Sequence, residues 1–209
     1  MTKARKDFQR IRAVVFDMDG TLVCSDLNFD RIRAEGGVPD GTPILEFLKS
    51  SSGSAREKAQ RVLLDHEDRA ARGCTLLPGA RKLLEALRSR GYALALLTRN
   101  SRASVDIVLK RHRLQLDACV AREDAEPKPS PEPVLKIAEM LALNPSELLV
   151  VGDYVFDVQC GQAAGARTAL LQTEKQLDVV PPPDVTVDRL TDLLDHLPER
   201  APSAREQSR

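Results

Sequence analysis

The chain has no tryptophan, and aromatic residues make up only 3% of it, which gives a surface for stacking nucleobases little to work with. It has no net charge: 31 lysines and arginines balance 31 aspartates and glutamates, so no global field draws it to nucleic acid or to an anionic membrane. No apolar run approaches the length that spans a bilayer. A local basic patch opens the chain (Lys3, Arg5, Lys6, Arg10, Arg12), but the apolar stretch behind it breaks at Asp17, too soon for a signal core. The four cysteines, Cys24, Cys74, Cys119 and Cys160, include no close-spaced ligand pair. They read as reduced, mostly buried small side chains of a cytoplasmic protein.

What is present is the composition of a soluble globular chain: 42% hydrophobic and 30% charged over 209 residues, enough for one full core with an insertion. Short apolar runs at 11–16, 92–98, 116–120, 148–153 and 166–171 are rich enough in valine, leucine and alanine to be strands buried on both faces. Helical periodicity fills the gaps. Residues 78–91 carry Leu83, Leu84 and Leu87 on one stripe and stop at Gly91; Ser101 caps a helix with Val105, Val108 and His112 inward; residues 130–143 place prolines in a first turn, where a missing N–H costs nothing. Residues 184–197 predict a last short strand and a closing helix. Strand and helix in alternation imply an α/β fold, a Rossmann-like doubly wound parallel sheet. Residues 26–75 break the alternation with helical patterns only, which predicts a small inserted all-helical cap between a core of 1–25 and 76–200, with 201–209 as a frayed tail.

In an open parallel sheet the ligand crevice lies beyond the carboxyl ends of the strands, so the polar residues that close each strand should meet. These are Asp17 and Asp19 in "DMDGT", Thr98 and Asn100 in "LLTRN", and Asp153 and Asp157 in "GDYVFD", with Lys128 in the loop after the third run. Several carboxylates in one crevice need a cation to stay ionised together, and hard oxygen ligands select Mg²⁺. A metal and Lys128 would neutralise both a phosphate monoester and a carboxylate attacking it. Such an attack gives an aspartyl-phosphate, and a second carboxyl can protonate the leaving alkoxide and then activate water. Thr98 and the backbone N–H groups after Asp17 suit the phosphoryl oxygens.

On these four ordered motifs, from about Ala13 to Leu171, the chain resembles the haloacid dehalogenase-like superfamily, on the phosphatase branch with a small helical cap. The resemblance implies Asp17 as nucleophile and metal ligand, and Asp19 as general acid/base with its carbonyl on the metal. It makes Asp153 a metal ligand, Asp157 a ligand or a support for one, Thr98 a phosphoryl binder and Lys128 the residue that orients Asp17 and phosphate. Residues 26–75 would be a mobile cap that excludes water, Mg²⁺ the cofactor and a small phosphorylated metabolite, phosphoglycolate-like or a sugar phosphate, the partner. Two departures stand out: Arg99 separates Thr98 from Asn100, and Tyr154 stands where phosphatase relatives often have serine. Arg99, with Arg31 and Arg33, is a candidate to meet a second anionic group on the substrate. Phe29 and Ile32 suit the core of the cap, and the histidines suit packing or surface rather than catalysis.

Other readings use parts of the same set. A sugar-phosphate mutase of this family would need a cap that protects the phosphoenzyme from water, and the segment between Asp17 and Thr98 is short for that. A dehalogenase has no use for an acid at Asp19 or for Mg²⁺. A phospho-accepting signalling domain is shorter, lacks a cap and carries its acceptor on a later strand, and a binding protein with a relic site has little reason to keep the whole set.

Overall fold

Every residue of Ala13–Phe16 is buried, and these four form β1, an interior strand of the sheet. The computed structural model describes residues 8–172 and 179–199; Lys3, Arg5, Lys6 and the tail 201–209 lie outside them. After β1 come β2 (Val23–Cys24), β3 (Thr75–Leu76), β4 (Ala93–Leu97), β5 (Ala118–Val120), β6 (Leu148–Gly152), β7 (Arg167–Leu171) and β8 (Val185–Val187). The helices are α1 (Phe29–Gly36), α2 (Ile44–Ser50), α3 (Gly53–Gly73), α4 (Ala80–Ser89), α5 (Arg102–His112), α6 (Glu132–Leu141) and α7 (Val155–Ala163).

Six strands make one parallel sheet in the order β5-β4-β1-β6-β7-β8, with Ala13 in register with Ala93 on one side and Leu148 on the other. Continuous apolar runs form its interior strands because crossover helices cover both faces. On one face Val15, Leu97, Val120 and Val150 pack with Val134 and Ile137 of α6 and Cys160 of α7. Each such side chain contributes about 1.5–3 kcal/mol by leaving water. None of the four cysteines is in a disulfide; Cys74 and Cys160 are buried and Cys24 is exposed.

Three details differ from the sequence reading. An antiparallel ladder pairs Val23 with Leu76 and Cys24 with Thr75, so a strand begins at the end of the segment read as all-helical. At 184–197 the strand forms, but the closing helix is a 3₁₀ turn, Leu190–Asp195. Its two buried side chains, Leu190 and Leu193, are three residues apart, the spacing that a 3₁₀ turn stacks on one side. Phe29, expected in a core with Ile32, is 52% exposed while Ile32 is fully buried. As the first residue of α1, Phe29 projects over the turn that precedes the helix and has no helix of its own to cover.

The chain divides into two compact units. The sheet unit comprises the described residues to Cys24, Thr75–Arg99 and those from Gln115 onward; the second unit comprises Ser25–Cys74 together with Asn100–Leu114. In the second unit Ile32, Ile44, Leu45 and Leu63 form a core, and His66 of α3 meets Glu35 of α1 at 2.8 Å. His66, then Arg31, hold the Glu35 carboxyl down to about 2. The buried Glu67 of α3 accepts a hydrogen bond from the Ser101 N–H at 3.3 Å, at the N-terminus of α5. That bond places a carboxylate where a helix favours negative charge, and it ties α5 to the inserted helices. The other end of α5 is tied as well, since His112 lies 3.4 Å from the Cys74 thiol. Among the described residues no helix is long and apolar enough to cross a membrane.

Candidate active site

Parallel pairing continues one residue past β1, where the Asp17 N–H donates to the Val151 carbonyl at 2.8 Å. The chain then turns tightly. Leu22 and Val23 both donate to the Met18 carbonyl at 2.9 Å, and Gly20 donates to the Val23 carbonyl at 2.8 Å. Met18 is buried between two half-buried aspartates, Asp17 and Asp19. Gly20 has φ +75°, and a Cβ there would lie 2.1 Å from Oδ2 of Asp153. Only glycine fits this close approach.

Lys128 holds the centre. Its side chain is 4% exposed, and its Nζ lies 2.6 Å from Oδ1 of Asp17 and 2.6 Å from Oδ1 of Asp157, with the Leu97 carbonyl at 3.3 Å. The lysine sits in a turn in which the Ser130 N–H donates to the Pro127 carbonyl at 3.1 Å. Asp157 stands in the first turn of α7, and its second oxygen accepts the Tyr154 N–H at 3.2 Å. A Cβ on Gly152 would lie 2.1 Å from the Asp157 carboxyl carbon, so the carboxylate folds back over a bare backbone. Asp153 accepts a hydrogen bond from the Thr21 hydroxyl at 3.3 Å. Oxygens of Asp17, Asp153 and Asp157 all fall within 4.8 Å of one another.

The electrostatics follow from this crowding. Burial, then the charges of Asp17 and Asp157, push the Asp153 carboxyl up to about 7. Burial also raises Asp157, against the opposing pull of Lys128. For Lys128 burial works against the charge, but Asp157 and Asp17 outweigh it and hold the ammonium above the ordinary lysine range. Three carboxylates share one ammonium, a surplus of negative charge that suits a divalent cation with hard oxygen ligands. The donor set therefore fits Mg²⁺. Asp157 has one oxygen on Lys128 and the other on the Tyr154 N–H, Asp17 has one on Lys128, and Asp153 accepts from the Thr21 hydroxyl and from its own backbone N–H.

The remaining sequence candidates divide between the units. Thr98 is buried at the end of β4, its N–H donating to the Val120 carbonyl at 3.1 Å, and Arg99 follows it in the same unit. Asn100 begins the second unit's segment Asn100–Leu114. Arg31 pairs with Glu35, and Arg33 pairs with Asp30, each within α1. Thr21, Gly152 and Phe156 received no role from sequence. Thr21 lies inside "DMDGT", and Gly152 directly before Asp153, but only the folded distances single them out. The nearby Cys160 thiol donates to the Ser130 carbonyl at 2.8 Å, and burial pushes it up to about 12, so it is an inert packing group.

A family model described as haloacid dehalogenase-like hydrolase matches residues 11–165. A haloacid dehalogenase-like hydrolase domain-containing protein of Arabidopsis thaliana is 34% identical over 176 residues, 78% of this chain and 71% of that protein. Pyrophosphatase PpaX of Bacillus cereus (strain Q1) is 30% identical over 210 residues, 88% of this chain and 95% of that protein. The crystal structure of a predicted phosphoglycolate phosphatase from Haemophilus somnus superposes with a TM-score of 0.69 at 21% identity, covering 90% of this chain and 98% of that one, and shares the fold.

Proposed function

Because the chain belongs to the haloacid dehalogenase-like hydrolases, we propose that it is a Mg²⁺-dependent phosphatase that hydrolyses a small phosphomonoester through an aspartyl-phosphate on Asp17. The observation that carries this reading is the Lys128 ammonium, 2.6 Å from both Asp17 and Asp157 in a site that also holds Asp153. An ammonium in that position holds and aims the Asp17 carboxylate, as attack by a carboxylate requires. Asp17 and Asp153 would hold Mg²⁺, with the Asp19 carbonyl as a further donor, and Asp157 would act chiefly by fixing Lys128. Bound there, Mg²⁺ supplies positive charge that lets a phosphate dianion approach a carboxylate.

In the first step an Asp17 oxygen bonds to phosphorus, the bond from phosphorus to the ester oxygen breaks, and Asp19 gives its proton to the departing alkoxide. In the second, Asp19 takes a proton from water as the water oxygen bonds to phosphorus, and the aspartyl-phosphate bond breaks. The products are an alcohol and inorganic phosphate, and both aspartates return to their starting states. Thr98 and Lys128 hold the phosphoryl oxygens, and Arg99 meets the rest of the substrate. The relationship to pyrophosphatase PpaX favours a small, compact leaving group over a polymer.

A panel of phosphomonoesters with Mg²⁺ tests the reading, with phosphoglycolate and sugar phosphates included. Turnover by the wild type, absent in Asp17→Asn, is the expected result. No hydrolysis of any ester, or full activity in Asp17→Asn, would sink it.

A further inference from the structure

Parallel strands bring their amino ends together as surely as their carboxyl ends, and the described residues form a cleft at that second edge of the sheet. Its volume is about 700 Å³, and its lining includes Arg10, Ser146, Gln162, Gly165, Arg167 and Asp184. Arg10 closes a 3₁₀ turn ahead of β1, Ser146 stands two residues before β6, Arg167 opens β7 and Asp184 directly precedes β8. These four strands are consecutive neighbours in the sheet. All the lining residues belong to the sheet unit, and the carboxylate cluster lies beyond the opposite strand ends. The active site uses none of them.

Most of this lining is fixed by its own bonds. One Asp184 oxygen pairs with Arg167 at 2.7 Å, and the other accepts from the Thr168 N–H at 2.8 Å and the Thr168 hydroxyl at 3.1 Å. The Gln162 side-chain amide donates to the Pro182 carbonyl at 2.7 Å and ties the end of α7 to the segment that leads into β8. Gly165 has φ +80°, and a Cβ there would meet nothing within 4 Å, so bare backbone borders open space. Arg10 differs from the neighbouring arginines. Arg12 pairs with Glu147 at 3.7 Å and Arg167 with Asp184, whereas the Arg10 guanidinium has no ion pair or hydrogen bond among the described residues. With two arginines and one aspartate in its lining, the cleft carries one surplus positive charge. The sequence leading to it is basic too: over the first ten residues Lys3, Arg5, Lys6 and Arg10 stand against one acid, Asp7.

We propose that this cleft is a second ligand site, separate from the catalytic one, which binds a small phosphorylated molecule without an aromatic ring, a polyol phosphate or a short polyphosphate, through the Arg10 guanidinium. Clefts of roughly 300–1,000 Å³ hold small molecules rather than bare ions. A guanidinium that gives up no existing partner meets a phosphate with two parallel N–H···O bonds. The Ser146 hydroxyl, which both donates and accepts, serves the rest of the molecule. No aromatic or long aliphatic side chain lines the cleft, so a nucleobase would find no stacking face there. The site stands independently of the phosphatase reading above.

Amide resonances tell the two sites apart, with Gly165 and Ala166 reporting on the cleft and Gly20 on the turn after Asp17. ¹⁵N-labelled protein in chelator, where no metal-dependent turnover consumes the probe, is titrated with tripolyphosphate, glucose 6-phosphate and citrate. At least one of the two phosphorylated probes should shift Gly165 and Ala166 saturably. In Arg10→Gln its Kd should rise about 10- to 100-fold, the scale of charge-assisted hydrogen bonds to one guanidinium. Arg10→Lys keeps the charge without the planar fork and should recover part of the loss. Whichever phosphorylated probe binds more tightly tells polyphosphate from polyol phosphate. Shifts confined to Gly20, shifts that never saturate, or a Kd that Arg10→Gln leaves unchanged would overturn the proposal. Citrate binding as tightly as the better phosphorylated probe would overturn the assignment to phosphate.

Discussion

Replacing Lys128 by methionine keeps most of the side-chain volume and removes the one ammonium that Asp17 and Asp157 share. Lys128 is 4% exposed and its partners are 13% and 3% exposed, so solvent does little to screen what remains. Removing one partner of a buried pair typically costs about 3–5 kcal/mol, because the other charge is left uncompensated. At about 2–4 °C per kcal/mol for a chain of this size, the metal-free protein should melt roughly 6–20 °C lower near pH 8. The deficit should depend on pH with a definite sign. Asp153 is already raised to about 7, by burial first and then by Asp17 and Asp157, so the native state binds protons that the unfolded chain releases. Stability of the metal-free protein therefore falls as pH rises from the ordinary carboxylate range through that value. Loss of Lys128, whose charge lowers Asp153 and Asp157, moves these two carboxyls further up, so the deficit of Lys128→Met is greatest near pH 8 and shrinks toward about pH 5.5, where protons substitute for the ammonium. The lysine's own titration lies above this window and does not affect it. Thermal melts of both proteins in chelator at the two pH values provide the measurement. A variant that melts within about 2 °C of wild type near pH 8, or one whose deficit is the same at both values, would refute the reasoning.

Asp19→Asn removes the proposed acid and base together, so kcat should drop about 10²- to 10⁴-fold while phosphoenzyme lingers on intact-mass spectra. A variant with normal turnover would exclude Asp19 from proton transfer. Mg²⁺ binding must displace protons from a cluster in which Asp153 is raised to about 7, so affinity should weaken from pH 8 toward pH 6. Titration calorimetry in two buffers of different ionisation enthalpy would reveal the released protons, and identical heats in both would count against the site. Gly20→Ala forces a Cβ to within 2.1 Å of an Asp153 oxygen at φ +75°. It should lower Mg²⁺ affinity about 10- to 100-fold, as disturbed support of a ligand does, at a folding cost of about 1–2 kcal/mol.

The strands were legible because a sheet covered on both faces leaves its interior strands little choice of residue. Leu148–Gly152 and Ala93–Leu97 are nearly pure apolar runs that end where polar chemistry begins. The candidate site was legible as an inventory, because parallel strands bring their carboxyl ends to one edge. The pairing of Lys128 with Asp17, 111 residues away, came from the family resemblance alone; its second bond, to Asp157 across 29 residues, was not legible, because no local pattern encodes such distances. The seat of the second Asp157 oxygen likewise depends on a backbone N–H, that of Tyr154, which every residue but proline possesses. The ladder of β2 and β3 escaped notice because two residues are too few to show alternation. Helix α5 was visible as a helix, with Ser101 as its cap, but its place in the second unit rests on a buried glutamate in another helix.

That grouping has a consequence for how the chain can be cut and recombined. The second unit is assembled from Ser25–Cys74 and Asn100–Leu114, so it is not a cassette inserted at one point. Excising the first segment alone would strip α5 of the α3 partner it packs on and leave the buried Glu67 bond to Ser101 unmade. Transplanting this unit from a relative would therefore require moving two stretches in concert, with the face of α5 chosen to match. Within this unit contacts are paired at long range: Glu67 of α3 meets Ser101, 34 residues on, and Cys74, just past α3, meets His112, 38 residues on, so a substitution at either member of a pair is felt by the other.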